Sequence, residues 1–256
     1  MTKYTFNEIR SIEESGSAWW YKFILKHFVL RLVYFFANFT KFTPNQITIL
    51  GFIFDIASAF SFLQGTWFYL IIGAFLFEFG YICDCIDGRL ARLKGESTKV
   101  GGFLDHITSD TWGRFLPALC LIYGQYLIYG CAVWIIIGML FIFLSSAISF
   151  TFPFKQEIIK LSKSDSTEKI VKNSINTYNK ILEKYFIWCK QHKVGILPFS
   201  RTEYEMLALF IGPLLNLVKE GFIAAIFLES IVYCVIVVLY MKQFHKIDEN
   251  ARKLKN

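Results

Sequence analysis

The chain has no CxxC pair, no internal repeat and no low-complexity tract, and its first eighteen residues hold no apolar run. The missing CxxC removes the commonest thiolate frame for zinc. The missing repeat argues against a transporter assembled from two related halves. A polar start lacks the apolar core of a secretory leader, so no cleavable signal peptide is expected. Six cysteines are present, Cys83, Cys85, Cys120, Cys131, Cys189 and Cys234. They sit mostly in apolar segments or beside basic ones, and reduced, structural thiols are expected. Cys83 and Cys85 flank Asp84 but point away from its helical face, so they are not read as zinc ligands.

What is plentiful is apolar. Of 256 residues, 55% are hydrophobic and 18% aromatic, with 28 Phe, and mean hydropathy is +0.44. Such a composition points to a multi-pass membrane protein. Apolar runs near the length of a bilayer span fall at 43–65, 67–90, 101–125, 127–152, 202–218 and 221–241. The expected fold is therefore all-α and integral to a membrane, with six transmembrane helices and an N-terminal amphipathic helix in the interface. That last element covers 18–40, where Lys22, Lys26, His27 and Arg31 recur on one stripe among apolar residues; a first transmembrane span is the alternative. Thr43-Pro44-Asn45 opens the first span, with proline where its missing N–H costs nothing. The chain divides into 1–42 (N-terminus and interfacial helix), 43–241 (six-helix domain) and 242–256 (basic tail). Within it, 154–200 forms a polar segment whose stretch 175–188 suggests surface helix.

Positive charge is lopsided. Lys and Arg number 6 before Thr43, 4 in 89–100, 10 in 153–201 and 5 after Met241, which leaves only Arg114 and Lys219 elsewhere. In a six-span topology these segments share one side, and the positive-inside rule makes it the cytoplasmic one, with both termini. The net charge of +7 is explained by anionic lipid headgroups without nucleic acid. Four ionisable residues, Asp55, Glu78, Arg114 and Glu229, fall roughly 18–20 Å into the spans at about 1.5 Å per residue. They form either a charge network that ties the bundle together or a polar acceptor pocket. Arg114 lies four residues after Asp110, a spacing that favours pairing on one helix.

The stretch from Asp84 to Asp105 carries the chemistry. Asp84 and Asp87 share a helix face, which Gly88 and Ala91 continue without bulk. Carboxylates beside a bare surface suit a divalent cation bound to a diphosphate, because Mg²⁺ commonly takes one or two carboxylates plus substrate phosphates. The pattern resembles the signature of the CDP-alcohol phosphotransferases, D-x2-D-G-x2-A-R-x8-G-x3-D-x3-D. Asp84, Asp87, Gly88, Ala91, Arg92, Gly101 and Asp105 match in register, and the last position holds Ser109.

The resemblance implies an enzyme that transfers a substituted phosphate from a CDP-linked donor to an alcohol and releases CMP, in phospholipid biosynthesis. The donor would be CDP-diacylglycerol with a small polar acceptor, or a soluble CDP-alcohol with a lipid acceptor. It also implies a homodimer and a Mg²⁺ or Mn²⁺ site at the cytoplasmic boundary, with Asp84, Asp87 and Asp105 as ligands. Gly88 would admit the nucleotide, Ala91 keep that face open, Arg92 meet donor phosphate and Gly101 let the second and third spans pack closely. The family base would stand at Ser109, and a serine hydroxyl is a poor base. In a straight α-helix Asp110 lies about 140° from Asp105, against about 40° for Ser109. Three readings stay open. The serine is an introduced, silencing change; or it is natural, with His106, a kinked helix carrying Asp110, or the acceptor supplying the base; or the protein binds nucleotide without turnover. A polyprenyl transferase also uses Asp pairs and Mg²⁺ but has no use for the Gly-x-x-Ala-Arg continuation.

Overall fold

A computed structural model describes residues 3–12, 18–151, 191 and 201–253. The polar segment 154–200 lies outside the described residues except at 191, as does Cys189. Among the described residues there are helices and no strand. In chain order they are α1 (Phe6–Ser11), α2 (Lys26–Phe39), α3 (Pro44–Leu63), α4 (Trp67–Lys94), α5 (Lys99–Asp105), α6 (Gly113–Tyr129), α7 (Val133–Phe150), α8 (Arg201–Met206) and α9 (Val218–Lys253).

The seam between α3 and α4 organises the bundle. Helix α3 starts on a capping box: Thr43 Oγ1 accepts from the Gln46 N–H and Gln46 Oε1 from the Thr43 N–H, with Pro44 in the first turn. Its inner face reads Thr48, Gly51, Asp55, Ser58 and Phe62, alternating steps of three and four, and all five are buried. A tight turn at 64–66, with Gly65 at φ +67°, sends α4 back antiparallel. Each inner residue then finds a partner along α4. Thr48 donates to Asp87, Gly51 faces Cys83, the Asp55 carboxylate fills the notch over Gly80, Ser58 donates to the Gly73 carbonyl at 2.7 Å, and Phe62 lies on Gly73. Small residues let backbones come this close, as apolar helices in lipid require. On its other side α3 meets α6, where Gly124 sits against the Phe62 and Leu63 carbonyls.

Four helices are long and apolar enough to cross a bilayer: Pro44–Leu63, Trp67–Lys94, Val133–Phe150 and Val218–Lys242. The other two expected spans are composite. From Lys99 the chain stays helical to Tyr129, but His106–Trp112 form a π-helical turn between α5 and α6. Likewise α8 passes through a π turn at Leu207–Ile211 and a last helical turn at Gly212–Leu214, then breaks at Asn216 with φ +57°. A proline stands just beyond each π turn, Pro117 and Pro213, and a ring without an N–H cannot continue the ladder of bonds behind it. Hydrophobic runs register none of this.

The N-terminal stripe is helical as well, with a π turn at Tyr21–Leu25 leading into α2. Val29, Leu30, Val33 and Ala37 are buried in the core that α4 shares, while Phe28, Arg31, Phe35 and Phe39 are exposed. Trp20 ties this element inward: its indole N–H donates to Glu78 Oε1 at 2.9 Å and its backbone N–H to Glu203 Oε1 at 3.1 Å. Among the described residues the five cysteines form no disulfide.

Backbone contact at Gly124 makes the first test. A Cβ there would stand 2.9 Å from the Leu63 carbonyl oxygen and closer still to that of Phe62, neither of which can yield. Gly124→Val is expected to cost about 1–3 kcal/mol. Gly102→Ala, with nothing within 4 Å, is expected to leave stability unchanged or slightly raised; thermal unfolding in one detergent compares them.

Candidate active site

Helix α4 ends on a left-handed Gly95, φ +68°, whose N–H and that of Glu96 close on the Ala91 and Arg92 carbonyls. The chain then turns at once into α5, whose cap Thr98 accepts from the Gly101 N–H at 2.9 Å. That turn folds the second half of the Asp84–Asp105 stretch over the first. Between them opens a cavity of about 190 Å³, lined by Asp87, Gly88, Ala91 and Arg92 from α4 and by Gly101, Gly102 and Asp105 from α5. Pro44, Asn45 and Thr48 at the start of α3 close its floor. Six of the residues singled out from the sequence thus line one cavity, at the basic ends of the helices.

Charge and space are graded around it. Asp87 is buried, 4% exposed, and its Oδ2 accepts from Thr48 Oγ1. Arg92 and Asp105 are the charges nearest it in effect, one opposite and one like. A Cβ on Gly88 would meet only the Arg92 guanidinium, at 3.5 Å, so this part of α4 is bare backbone. Gly101 differs from expectation. Its tight neighbours are Asn45 Oδ1 at 3.0 Å and Thr98 Oγ1 at 3.1 Å from a Cβ. It therefore brings α5 onto the first span rather than joining the second and third.

Beside the cavity lies a narrow cleft, about 10 Å³, room for one water. Asp55, Gly80, Tyr81, Asp84, Ser109, Gly113 and Arg114 line it together with Phe77. Asp84 and Ser109 thus stand together one compartment away from Asp87 and Asp105. His106 is exposed and lines neither space. For Asp110 the structure describes the backbone, inside the π turn. Among the described residues no three of His, Cys, Asp or Glu gather closely enough to hold a metal ion. Asp87 and Asp105 nevertheless give the cavity two hard oxygen donors, which suits a cation that completes its shell with phosphate oxygens.

The comparisons with known proteins bear on this stretch. A sequence model of the CDP-alcohol phosphatidyltransferases matches residues 41–198, well over half of the chain. The chain belongs to that family. Similar proteins include an archaetidylinositol phosphate synthase of Pyrococcus horikoshii, 41% identical over 64 residues, or 25% of this chain and 32% of that one. A bifunctional IPC transferase and DIPP synthase of Thermococcus kodakarensis is 30% identical over 111 residues, 43% of this chain and 24% of its own. An uncharacterized protein of Aquifex aeolicus is 34% identical over 122 residues, 47% and 58% of the two chains. The matches cover less than two thirds of each relative's length.

For a CDP-alcohol phosphatidyltransferase the deeper charges are as notable as the signature. The side chain of Asp110, the same-helix partner expected for Arg114, lies outside what the structure describes. Its guanidinium is ion-paired to Glu205, which is 2% exposed, and Glu205 also accepts from Arg201 Nε at 2.7 Å. Arg114 Nε donates to the Ser109 carbonyl at 3.2 Å. Sequence reading missed Glu205 as a partner and Thr48 altogether; both come from helices distant in the chain, and no spacing rule reaches them. Glu229 accepts from Ser145, and Glu78 from Trp20, so the network reading of the deep charges is the one these contacts favour.

Breaking a buried pair leaves a charge uncompensated. Arg114→Met is expected to destabilise by about 3–5 kcal/mol, and Arg114→Met with Glu205→Leu by less than the two single changes together. Unfolding midpoints of the three variants in nanodiscs check this.

Proposed function

We propose that this chain is an integral membrane enzyme that transfers the substituted phosphate of a CDP-linked donor to an alcohol and releases CMP, as a step in phospholipid synthesis. The observation that carries the reading is the one cavity lined by Asp87, Gly88, Ala91, Arg92, Gly101 and Asp105. The donor is CDP-diacylglycerol and the acceptor a small polar alcohol. A relative named as an archaetidylinositol phosphate synthase supports that reading.

Each residue has a task in this reading. Gly88 and Ala91 let the nucleotide lie against α4. Arg92 pairs with donor phosphate at the rim, where its fork can take two oxygens. Asp87 and Asp105 would hold Mg²⁺ or Mn²⁺, with Asp84 in the adjoining cleft; the bound cation would neutralise the diphosphate and the charge growing on CMP. Thr48 keeps the Asp87 carboxylate oriented, and Gly101 holds α5 close to Asn45. The acceptor hydroxyl oxygen forms a bond to the phosphorus distal to cytidine, the bond from that phosphorus to CMP breaks, and CMP leaves with the electron pair.

In the same reading the composite helices 99–129 and 201–214 are the third and fifth of six spans, so 43–241 is the catalytic domain and 242–256 its cytoplasmic tail. The crowding of Lys and Arg at the α4–α5 turn and both termini supports a cytoplasmic site. Helix α2, with Phe28, Phe35 and Phe39 exposed beside Arg31, lies in the interface. The homodimer belongs to this proposal too.

The test is CMP release in lipid nanodiscs with CDP-diacylglycerol, Mg²⁺ and a pool of polar alcohols. CMP is expected, abolished by chelation and restored by Mg²⁺. Asp87→Asn and Asp105→Asn should each lose at least 10²-fold, as the metal's charge stabilisation requires. Thr48→Val should lose about 10–100-fold, the usual effect of removing an outer-shell partner. Release of pyrophosphate instead of CMP, from a prenyl diphosphate, would overturn the reading.

A further inference from the structure

Arg89 stands on the face of α4 turned away from the α4–α5 cavity, about 160° round the helix from Asp87. Its guanidinium lies over the ring of Tyr21, 4.0 Å from the centroid, and Nη1 donates to the Cys85 carbonyl at 2.6 Å. Tyr21 is 2% exposed and Arg89 half-buried, so the charge is lodged between α4 and the N-terminal π turn. Its Nε is buried and has no hydrogen-bond partner. A side chain that merely snorkels sends its head free into water. This one is turned back onto its own helix and held against a buried ring.

Other partly buried arginines are treated differently. Arg114 and Arg201 both pair with the buried Glu205, whereas among the described residues no carboxylate pairs with Arg89. A stacked ring offsets part of the cost of lodging a cation, but a guanidinium drawn out of water ordinarily meets an anion through its N–H groups. Arg89 also stands at the right depth for a membrane anion. It precedes the basic end of α4, Lys94, by five residues, about 7.5 Å along the helix. The same π turn that carries Tyr21 exposes Phe23 and Ile24, which offers apolar surface beside the charge.

We propose that Arg89, braced by Tyr21, is a seat for one phosphate group at the membrane surface, separate from the α4–α5 cavity. The planar fork of a guanidinium matches phosphate oxygens, and a fixed fork loses little freedom on binding them. Two carriers share that chemistry, the headgroup of an anionic phospholipid and a soluble phosphate ester; the exposed Phe23 and Ile24 favour the lipid. A phosphate seated there fastens the turn at Tyr21–Leu25 to α4. The seat does not depend on the transfer reaction.

The experiment counts lipids bound to the full chain by native mass spectrometry and follows its thermal unfolding. The probes are phosphatidic acid, diacylglycerol with the same chains, and inorganic phosphate. The forms are the parent, Arg89→Gln, Arg89→Lys and Arg31→Gln, the last an exposed arginine on α2. Phosphatidic acid should bind the parent and raise its unfolding midpoint more than diacylglycerol does. Arg89→Gln should bind one phosphatidic acid fewer, its affinity at this seat lowered about 10–100-fold, the usual weight of hydrogen bonds to a charged group. Arg89→Lys, which keeps the charge and loses the fork, should fall between, and Arg31→Gln should match the parent. Inorganic phosphate that protects the parent as well as the lipid does, and not Arg89→Gln, also supports the seat and assigns it to soluble esters. Equal counts and affinities for the parent and Arg89→Gln overturn the proposal. The same loss in Arg31→Gln overturns it too, because the attraction is then diffuse. Should Arg89→Gln fail to fold, a crystal structure of the parent with phosphatidic acid decides. A phosphate within hydrogen-bonding distance of the Arg89 guanidinium supports the seat, and phosphate found only elsewhere overturns it.

Discussion

The rest of the structure depends on how closely α3 lies against α4. In a membrane the apolar effect gives helices little reason to associate, and packing with interhelical hydrogen bonds must do it. Here the means are specific: an inner face of Thr48, Gly51, Asp55, Ser58 and Phe62 meeting Asp87, Cys83, Gly80 and Gly73 in antiparallel order. The seam begins at the cavity, where Thr48 holds Asp87, and ends at the turn that carries Gly65. A shift of one helical turn would separate Thr48 from Asp87 and drive the Asp55 carboxylate out of its notch over Gly80. Packing and site geometry are therefore one constraint.

The same seam explains why acidic groups lie so deep. Asp55 occupies space that glycines at 80 and 113 leave open, and Arg114 stands across the cleft from it. Arg114 is paired with Glu205, and Glu205 with Arg201, which links α6 to α8. Such charges are costly in a bilayer unless paired. Their cluster is placed directly under the turn in which the signature departs from its usual spacing. Arg114 Nε donates to the Ser109 carbonyl within that turn.

Much of this was legible in the residues. The Asp84–Asp105 pattern falls within two adjacent helices joined by a short turn, so linear spacing carries over into space, and Asp87, Gly88, Ala91, Arg92, Gly101 and Asp105 do meet. The capped, proline-led start at Thr43 was equally readable, since caps are local. Three features were not. Thr48 and Glu205 act on residues 39 and 91 positions away, beyond any periodic rule. The π turns at His106–Trp112 and Leu207–Ile211 leave hydrophobicity unchanged and alter only which carbonyl each N–H meets. They split two apolar runs that a span-counting rule treats as whole.

The central claim is that the cavity between α4 and α5 receives the diphosphate of a CDP-linked donor through a cation held by Asp87 and Asp105. Anomalous scattering from Mn²⁺ in crystals grown with CDP locates that cation directly. The account predicts a peak in contact with the Asp87 and Asp105 carboxylates and with phosphate oxygens, and none when CDP and Mn²⁺ are both withheld. CDP bound with Mn²⁺ elsewhere, or bound in the cavity with no cation at those carboxylates, would contradict it.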